Sequence, residues 1–253
     1  MKPLAKPDPL AQPGDIAAAF ALLTRLPVTA RNPRGAPASW AWPLAGAMVG
    51  LIAALSGWIG LAFGLPIAHV ALLVIATEIA LTGGLHEDGL ADVADGFWGG
   101  HDTSRRLEIM KDSRIGSYGV LVLGLSLLAR TFALIAIFET GALFAPLIAV
   151  AALSRAPMAV LMAAMPNARG RGLSDHVGRP TQATATLGVL IALAIAWVFL
   201  GGASLAPVFW ATLGALGVAA LAKAKIGGQT GDVLGATQQV TQVVALAALA
   251  ASA

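Results

Sequence analysis

The stretch Pro66–Gly96 reads PIAHVALLVIATEIALTGGLHEDGLADVADG. Its first half is almost wholly apolar, with a single acid, Glu78. Its second half, from His86 to Gly96, holds Glu87, Asp88, Asp92 and Asp95, about a third of the 13 acids in the chain. Between the halves stands a glycine pair, Gly83 and Gly84. Greasy chain running abruptly into clustered carboxylate is what a membrane helix leaving the bilayer looks like.

The rest of the chain agrees. Of 253 residues, 57% are hydrophobic and 11% charged, and the mean hydropathy is +0.79. A soluble domain carries roughly 25% charged residues, so this chain has too little polar surface to enclose a water-soluble core. The expected fold is all-α: a polytopic helical bundle in the membrane, with about seven transmembrane helices and an N-terminal amphipathic helix. The runs that approach the ~20 residues a span needs are Pro43–Leu65, Pro66–Thr82, Gly116–Phe138, Ala142–Met165, Thr184–Gly201, Leu205–Leu221 and Leu234–Ala253. Ile16–Pro27 is too short to cross and, with its apolar face and Arg25, reads as an interfacial or packed amphipathic helix. Residues 1–15, rich in proline, are expected to form a flexible tail, and residues 16–253 a single catalytic membrane domain. With no cysteine, disulfides and thiolate metal sites are excluded.

The basic residues fix an orientation. Lys2, Lys6, Arg25, Arg31 and Arg34 precede the first span, and Arg105, Arg106, Lys111 and Arg114 separate the second and third. Arg169, Arg171 and Arg179 separate the fourth and fifth, and Lys223 and Lys225 the sixth and seventh. All four segments fall on one side of a seven-span chain, which the positive-inside rule makes cytoplasmic. Most acids fall there too. One-sided polar chemistry argues against a transporter, where ionisable groups recur at depth on several spans. The net charge of +3 is small, and no nucleic-acid partner is expected.

Three motifs carry chemistry. Asp88, Asp92 and Asp95 are spaced i, i+4, i+7 and so share one stripe of a helix. Three aligned carboxylates call for a cation, and with no thiolate available an oxygen-loving one, Mg²⁺ or Mn²⁺. The plainer alternative is a solvated, Asp-capped helix face. In RRLEIMKDSRIGSYG (Arg105–Gly119), Arg105, Glu108 and Asp112 share a face, and Lys111, Ser113 and Arg114 surround Asp112. That is a salt-bridged juxtamembrane helix or a phosphate clamp. Acids and bases in one loop suit a metal-bridged diphosphate. In GGQTGDVLGA (Gly227–Ala236), backbone amides and Thr230 suit a phosphate, and Asp232 suits a metal or a base edge. The alternative there is a turn between spans. Arg130 and Arg155 lie within apolar runs, and Glu78 is the expected partner of Arg155. His86 is a candidate base or metal ligand, although a lone histidine is more often neither. The loop RGRGLSDHVGR around His176 is expected to close over an anionic substrate.

With these residues placed, the chain resembles the cobalamin synthases, the adenosylcobinamide-GDP ribazoletransferases of the bacterial inner membrane. The resemblance rests on LLTRLPV (Leu22–Val28), GGLHEDGLADVADG (Gly83–Gly96), RRLEIMKDSRIGSYG, SRAP (Ser154–Pro157) and GGQTGDVLGA, and covers almost the whole chain. It implies a reaction in which a hydroxyl of α-ribazole, or of its 5′-phosphate, attacks the phosphorus nearer the corrinoid in adenosylcobinamide-GDP. GMP leaves and adenosylcobalamin, or its phosphate, forms. It further implies Mg²⁺ as cofactor, held by Asp88, Asp92 and Asp95, and one of these carboxylates or His86 as base. Arg105, Lys111, Asp112, Arg114, Arg155, Gln229, Thr230 and Asp232 are the implied substrate contacts. The bilayer is the expected surroundings, and the small-residue helix faces leave a homo-oligomer open. A CDP-alcohol phosphotransferase is the chemical rival, but its motif needs an arginine where Asp92 stands.

Overall fold

The computed structural model describes residues 9–31 and 33–253. The first eight residues of the expected tail therefore lie outside the described part. The remainder of that segment is held: α1 begins at Gly14, and Asp15 in its first turn is buried. The Asp15 carboxylate accepts from Trp40 Nε1 at 2.7 Å and from Gln12 N at 2.8 Å, and it is paired with Arg34.

The described residues form an all-helical bundle. In chain order the helices are α1 (Gly14–Leu23), α2 (Trp42–Ala62), α3 (Ile67–Thr82), α4 (Leu85–Gly99), α5 (Thr103–Ile109) and α6 (Ser117–Glu139). There follow α7 (Phe144–Leu153), α8 (Ala156–Ala164), α9 (Leu173–Val177), α10 (Gln182–Leu200), α11 (Leu205–Ile226) and α12 (Gly231–Ala250). Five segments are long and apolar enough to cross a membrane: 36–62, 117–139, 144–164, 182–226 and 231–250. The pair α3/α4, bent by 89°, would add a sixth only if counted as one broken span.

That differs from the expected seven at two places. At 16 residues α3 is about 24 Å long, short of the ~30 Å hydrocarbon core. The 45-residue segment 182–226 was expected as two spans. Its halves are interrupted at Gly201, which takes a positive φ of 54°. Residues of both halves, Val189 and Ala192 with Val208 and Ala211, line one apolar crevice.

Helix contact is set by small residues, as expected where apolar lipid gives no drive for apolar side chains to associate. A Cβ on Gly46 or Gly50 of α2 would fall on the carbonyl oxygens of Ala151 or Leu147 in α7. The segments 144–164 and 231–250 are the most enclosed. The outer faces of α6, α10 and α11 expose Leu125, Phe132, Val198, Leu205 and Phe209, side chains that suit lipid.

The interior also holds charge. Arg130 of α6 is 1% exposed. It donates to Glu78 of α3 at 2.5 Å and to Glu87 of α4 at 3.1 Å. Gln239 of α12 donates to Glu87 at 3.0 Å, and Gln242 to Glu78 at 2.9 Å. The expected partnership of Arg155 with Glu78 is thus made by Arg130 instead. In hydrocarbon such charges persist only when paired and hydrogen-bonded, and this group ties four helices together.

Candidate active site

The site begins at the glycine pair. Gly83 and Gly84 both adopt left-handed backbone, with φ of 66° and 70°, a conformation costly for residues with a Cβ. Two such residues in succession turn the chain by 89°. The polar helix α4 therefore lies across the end of the bundle instead of continuing α3 through the membrane. There it crosses α12 at a second glycine pair. A Cβ on Gly235 would stand 3.3 Å from the Gly89 Cα, and one on Gly89 would stand 2.7 Å from the Asp232 carbonyl oxygen. Backbone-to-backbone contact of this kind places Asp88 and Asp92 of α4 beside Asp232 at the start of α12.

Two cavities flank α4. One is an open basin of about 1,230 Å³, its mouth included, whose lining holds Asp88 and Asp92 of α4 and Lys111, Asp112 and Arg114 of the loop after α5. Arg25, from the loop after α1, completes it. The other is a mainly apolar cavity of about 760 Å³, mouth included. Its polar lining comes from His86, Asp88, Asp232 and the loop bearing Arg169. Asp88 lines both.

The charges are uneven. Burial and the neighbouring Asp232 and Asp88 carboxylates push the Asp92 carboxyl up to about 7, against the pull of Arg169. In the loop after α5 Arg114 donates to Asp112 at 2.6 Å and draws its carboxyl down to about 2. Burial, with the nearby Arg155 and Arg130 charges, keeps the His86 imidazole well below its usual range and hence neutral. Its Nε2 is buried without a partner. Asp232 is bonded to Arg169 at 2.7 Å and to the Thr230 hydroxyl at 3.3 Å, and Thr230 caps α12 by accepting from Val233 N.

Does this arrangement fit a divalent cation? Among the described residues no three carboxylate or imidazole groups converge as a ready cage. Mg²⁺ does not require one, since it is commonly held by one or two carboxylates together with substrate phosphates and water. Asp88 and Asp92, which both line the basin, provide that chemistry.

The structure separates the predicted residues into groups. Asp88, Asp92, Lys111, Asp112 and Arg114 share the basin. His86 and Asp232 line the apolar cavity. Asp95 is elsewhere: its two oxygens accept from Gly116 N at 2.7 Å and Gly119 N at 2.9 Å, so it caps the start of α6. Seven residues along a helix is about 10 Å, enough to carry Asp95 past the basin even though it shares the stripe. Arg105 is exposed and paired with Glu108 at 2.8 Å, and it does not line the basin. Arg155 is buried and donates to Ala151 O at 2.8 Å and Ser154 Oγ at 3.2 Å, held by its own helix turn. The Gln229 backbone is bonded to the 166–168 strand-like loop, with Gln229 N donating to Pro166 O at 2.9 Å and Ala168 N to Gln229 O at 2.8 Å. Its side-chain oxygen is buried without a partner.

Two arginines gain importance. Arg25 was read as part of an interfacial helix, yet it packs on Gly83 and faces the basin. Arg169, one of several in a Gly/Arg-rich loop, is the one that reaches Asp232. Neither pairing has a local sequence signal, because each spans more than fifty residues.

The geometry, two acidic side chains and a basic loop lining one basin at one end of a membrane bundle, can be set against known proteins. A family model described as cobalamin-5-phosphate synthase matches residues 15–250. The chain is 44% identical over 239 residues to the adenosylcobinamide-GDP ribazoletransferase of Mesorhizobium japonicum, covering 92% of this chain and 91% of that one. It is 43% identical over 252 residues to the protein of the same name from Sinorhizobium medicae, covering 93% and 95%. It is 41% identical over 242 residues to that of Bradyrhizobium diazoefficiens, covering 94% and 93%. No solved structure matches significantly. The match runs through α1 to α12 and takes in the residues that line the basin, so the chain belongs to the cobalamin-5-phosphate synthase family.

Proposed function

We propose that the protein assembles the nucleotide loop of cobalamin, transferring the phosphocobinamide group of adenosylcobinamide-GDP to α-ribazole or its 5′-phosphate and releasing GMP. The observation that carries this reading is the basin itself. Asp88 and Asp92 line one solvent-open space together with Lys111 and Arg114, a set of groups suited to a metal-bridged diphosphate.

In this reading Lys111 and Arg114 hold the diphosphate oxygens and neutralise charge as the bond to GMP breaks. Asp88 and Asp92 are the residues that would hold Mg²⁺; when bound, it supplies Lewis-acid polarisation of the phosphoryl oxygens. One of these carboxylates or His86 takes the proton of the attacking ribose hydroxyl. The new bond joins that oxygen to the phosphorus nearer the corrinoid, and the phosphorus–oxygen bond to GMP breaks. Arg169 holds Asp232 against the end of α4, keeping the two acidic helices in register. Asp112, tied to Arg114, orients that guanidinium. The enclosing bundle sits in the bacterial inner membrane, and its basic end, where Arg25, Lys111, Arg114 and Arg169 gather, faces the cytoplasm.

The test is direct. Purified protein incubated with adenosylcobinamide-GDP, α-ribazole and Mg²⁺ should release GMP and form adenosylcobalamin in equal amounts. A well-folded preparation that releases no GMP would overturn the reading.

A further inference from the structure

The two cavities on either side of α4 differ in chemistry as the two substrates do. The basin is charged and open. The second cavity is walled by Leu22, Trp42, Met158, Met162, Val177 and Leu234. Its polar lining comes from His86, Asp88, Asp232 and the segment bearing Arg169, Arg171 and Ser174. Trp42 is 3% exposed and Met162 1% exposed, so the wall is part of the packed core and preformed.

We infer that this apolar cavity is the acceptor subsite, taking the dimethylbenzimidazole base of α-ribazole between Trp42 and the Met158/Met162 pair, with its ribose directed at Asp88. The inference rests on the reaction proposed above and adds to it which substrate lies on which side of α4. The base is a flat aromatic bicycle with two methyl groups and one free ring nitrogen. It leaves no exocyclic donor or acceptor to satisfy in an apolar wall. Guanine, the base on the donor substrate, carries an amino group, a ring N–H and a carbonyl, all of which would be stripped of water there without partners. Thioether and aromatic side chains suit such a ring. His86 is among the lining residues, and its Nε2, sealed from solvent, makes no hydrogen bond. Asp88, the polar side chain that lines both cavities along with Leu85, marks where the ribose hydroxyl meets the diphosphate.

The experiment uses the full chain in detergent or nanodiscs and reads binding apart from turnover. Equilibrium dialysis measures α-ribazole binding to wild type, to Met162→Trp, which fills the cavity, and to Trp42→Phe, which keeps an aromatic wall. Steady-state kinetics then give KM for each substrate. Wild type should bind α-ribazole, and Met162→Trp should weaken binding and raise the acceptor KM by at least about tenfold, as expected for a filled apolar pocket. Trp42→Phe should show a smaller change in the same direction. The donor KM should move less than about twofold in either variant. Unchanged α-ribazole binding in Met162→Trp with a wild-type melting temperature would overturn the assignment, as would a rise confined to the donor KM. Should Met162→Trp fail to fold, unchanged α-ribazole binding in Trp42→Phe together with a raised donor KM overturns it equally. Wild-type protein that binds α-ribazole in this cavity-dependent way but releases no GMP would overturn the reaction and support the cavity.

Discussion

Arg130 on α6 donates to Glu87 on α4 at 3.1 Å while its other terminal nitrogen holds Glu78 on α3. One guanidinium therefore clamps both arms of the 89° bend that delivers Asp88 and Asp92 to the basin. Glu87 is immediately next to Asp88, but its bonds are to Arg130 and Gln239, so it braces the helix that carries the site. Replacing Arg130 by Met strands two buried carboxylates. The expected loss is roughly 3–5 kcal/mol, read as a lowered melting temperature, with donor and acceptor turnover falling together. Glu87→Gln, which keeps the shape and one acceptor, should lose far less.

Asp95 was expected among the metal ligands, and its place at the start of α6 makes a different forecast. Asp95→Ala removes the acceptor for Gly116 N and Gly119 N and should cost about 1–2 kcal/mol of stability, the range for a lost helix cap. The Mg²⁺ concentration giving half-maximal activity should stay within about twofold in the folded fraction. Asp88→Asn and Asp92→Asn should instead lower kcat by roughly 10²–10³-fold, the scale for removing one preorganised electrostatic group. A shift in Mg²⁺ demand for Asp95→Ala as large as that for Asp92→Asn would restore Asp95 to the metal set.

The raised Asp92 carboxyl sets a pH dependence. Its ordinary value is 3.8, and in the folded chain it is about 7. Between these the folded state holds a proton that the unfolded state has released. Its contribution to stability is therefore complete below about pH 4 and is lost as the pH rises through about 7. A bound cation prefers the carboxylate, so binding expels that proton. Thermal stabilisation by added Mg²⁺ should grow between about pH 6 and 8 in wild type. In Asp92→Asn it should be smaller and nearly flat over the same range. Parallel pH curves for the two proteins would dissociate Asp92 from the cation.

The α4–α12 crossing has no room. A methyl on Gly89 would press on the Asp232 backbone at 2.7–3.1 Å, and neither helix can yield without parting Asp88 from Asp232. Gly89→Ala should destabilise by about 1–3 kcal/mol, as overpacking does, and should depress kcat beyond what the fraction unfolded explains. Gly217→Ala, whose new methyl meets nothing within 4 Å, is the control and should be near neutral.

Composition and hydropathy pattern alone decide the class of fold and mark the stretches where acids and bases cluster. Long apolar runs with 11% charge overall have no soluble solution, because a backbone in lipid must satisfy its own hydrogen bonds and helices do so locally. The helix over Leu85–Gly99, its acidic stripe and the basic loop after it follow from residues within one helical repeat of each other. So does the family, because its motifs are local strings. The tertiary structure decided which of those acids act together. Asp88 and Asp95 share a stripe, yet one faces the basin and the other the start of α6, and nothing within α4 distinguishes them. The partnerships Arg130–Glu87, Arg169–Asp232 and Gly89–Gly235 join residues 43 to 146 positions apart, where periodicity carries no information. The second cavity arises in the same way, since its wall is gathered from α1, α2, α8, α9 and α12. Chain-local chemistry names the groups; packing of helices remote in sequence chooses which of them meet.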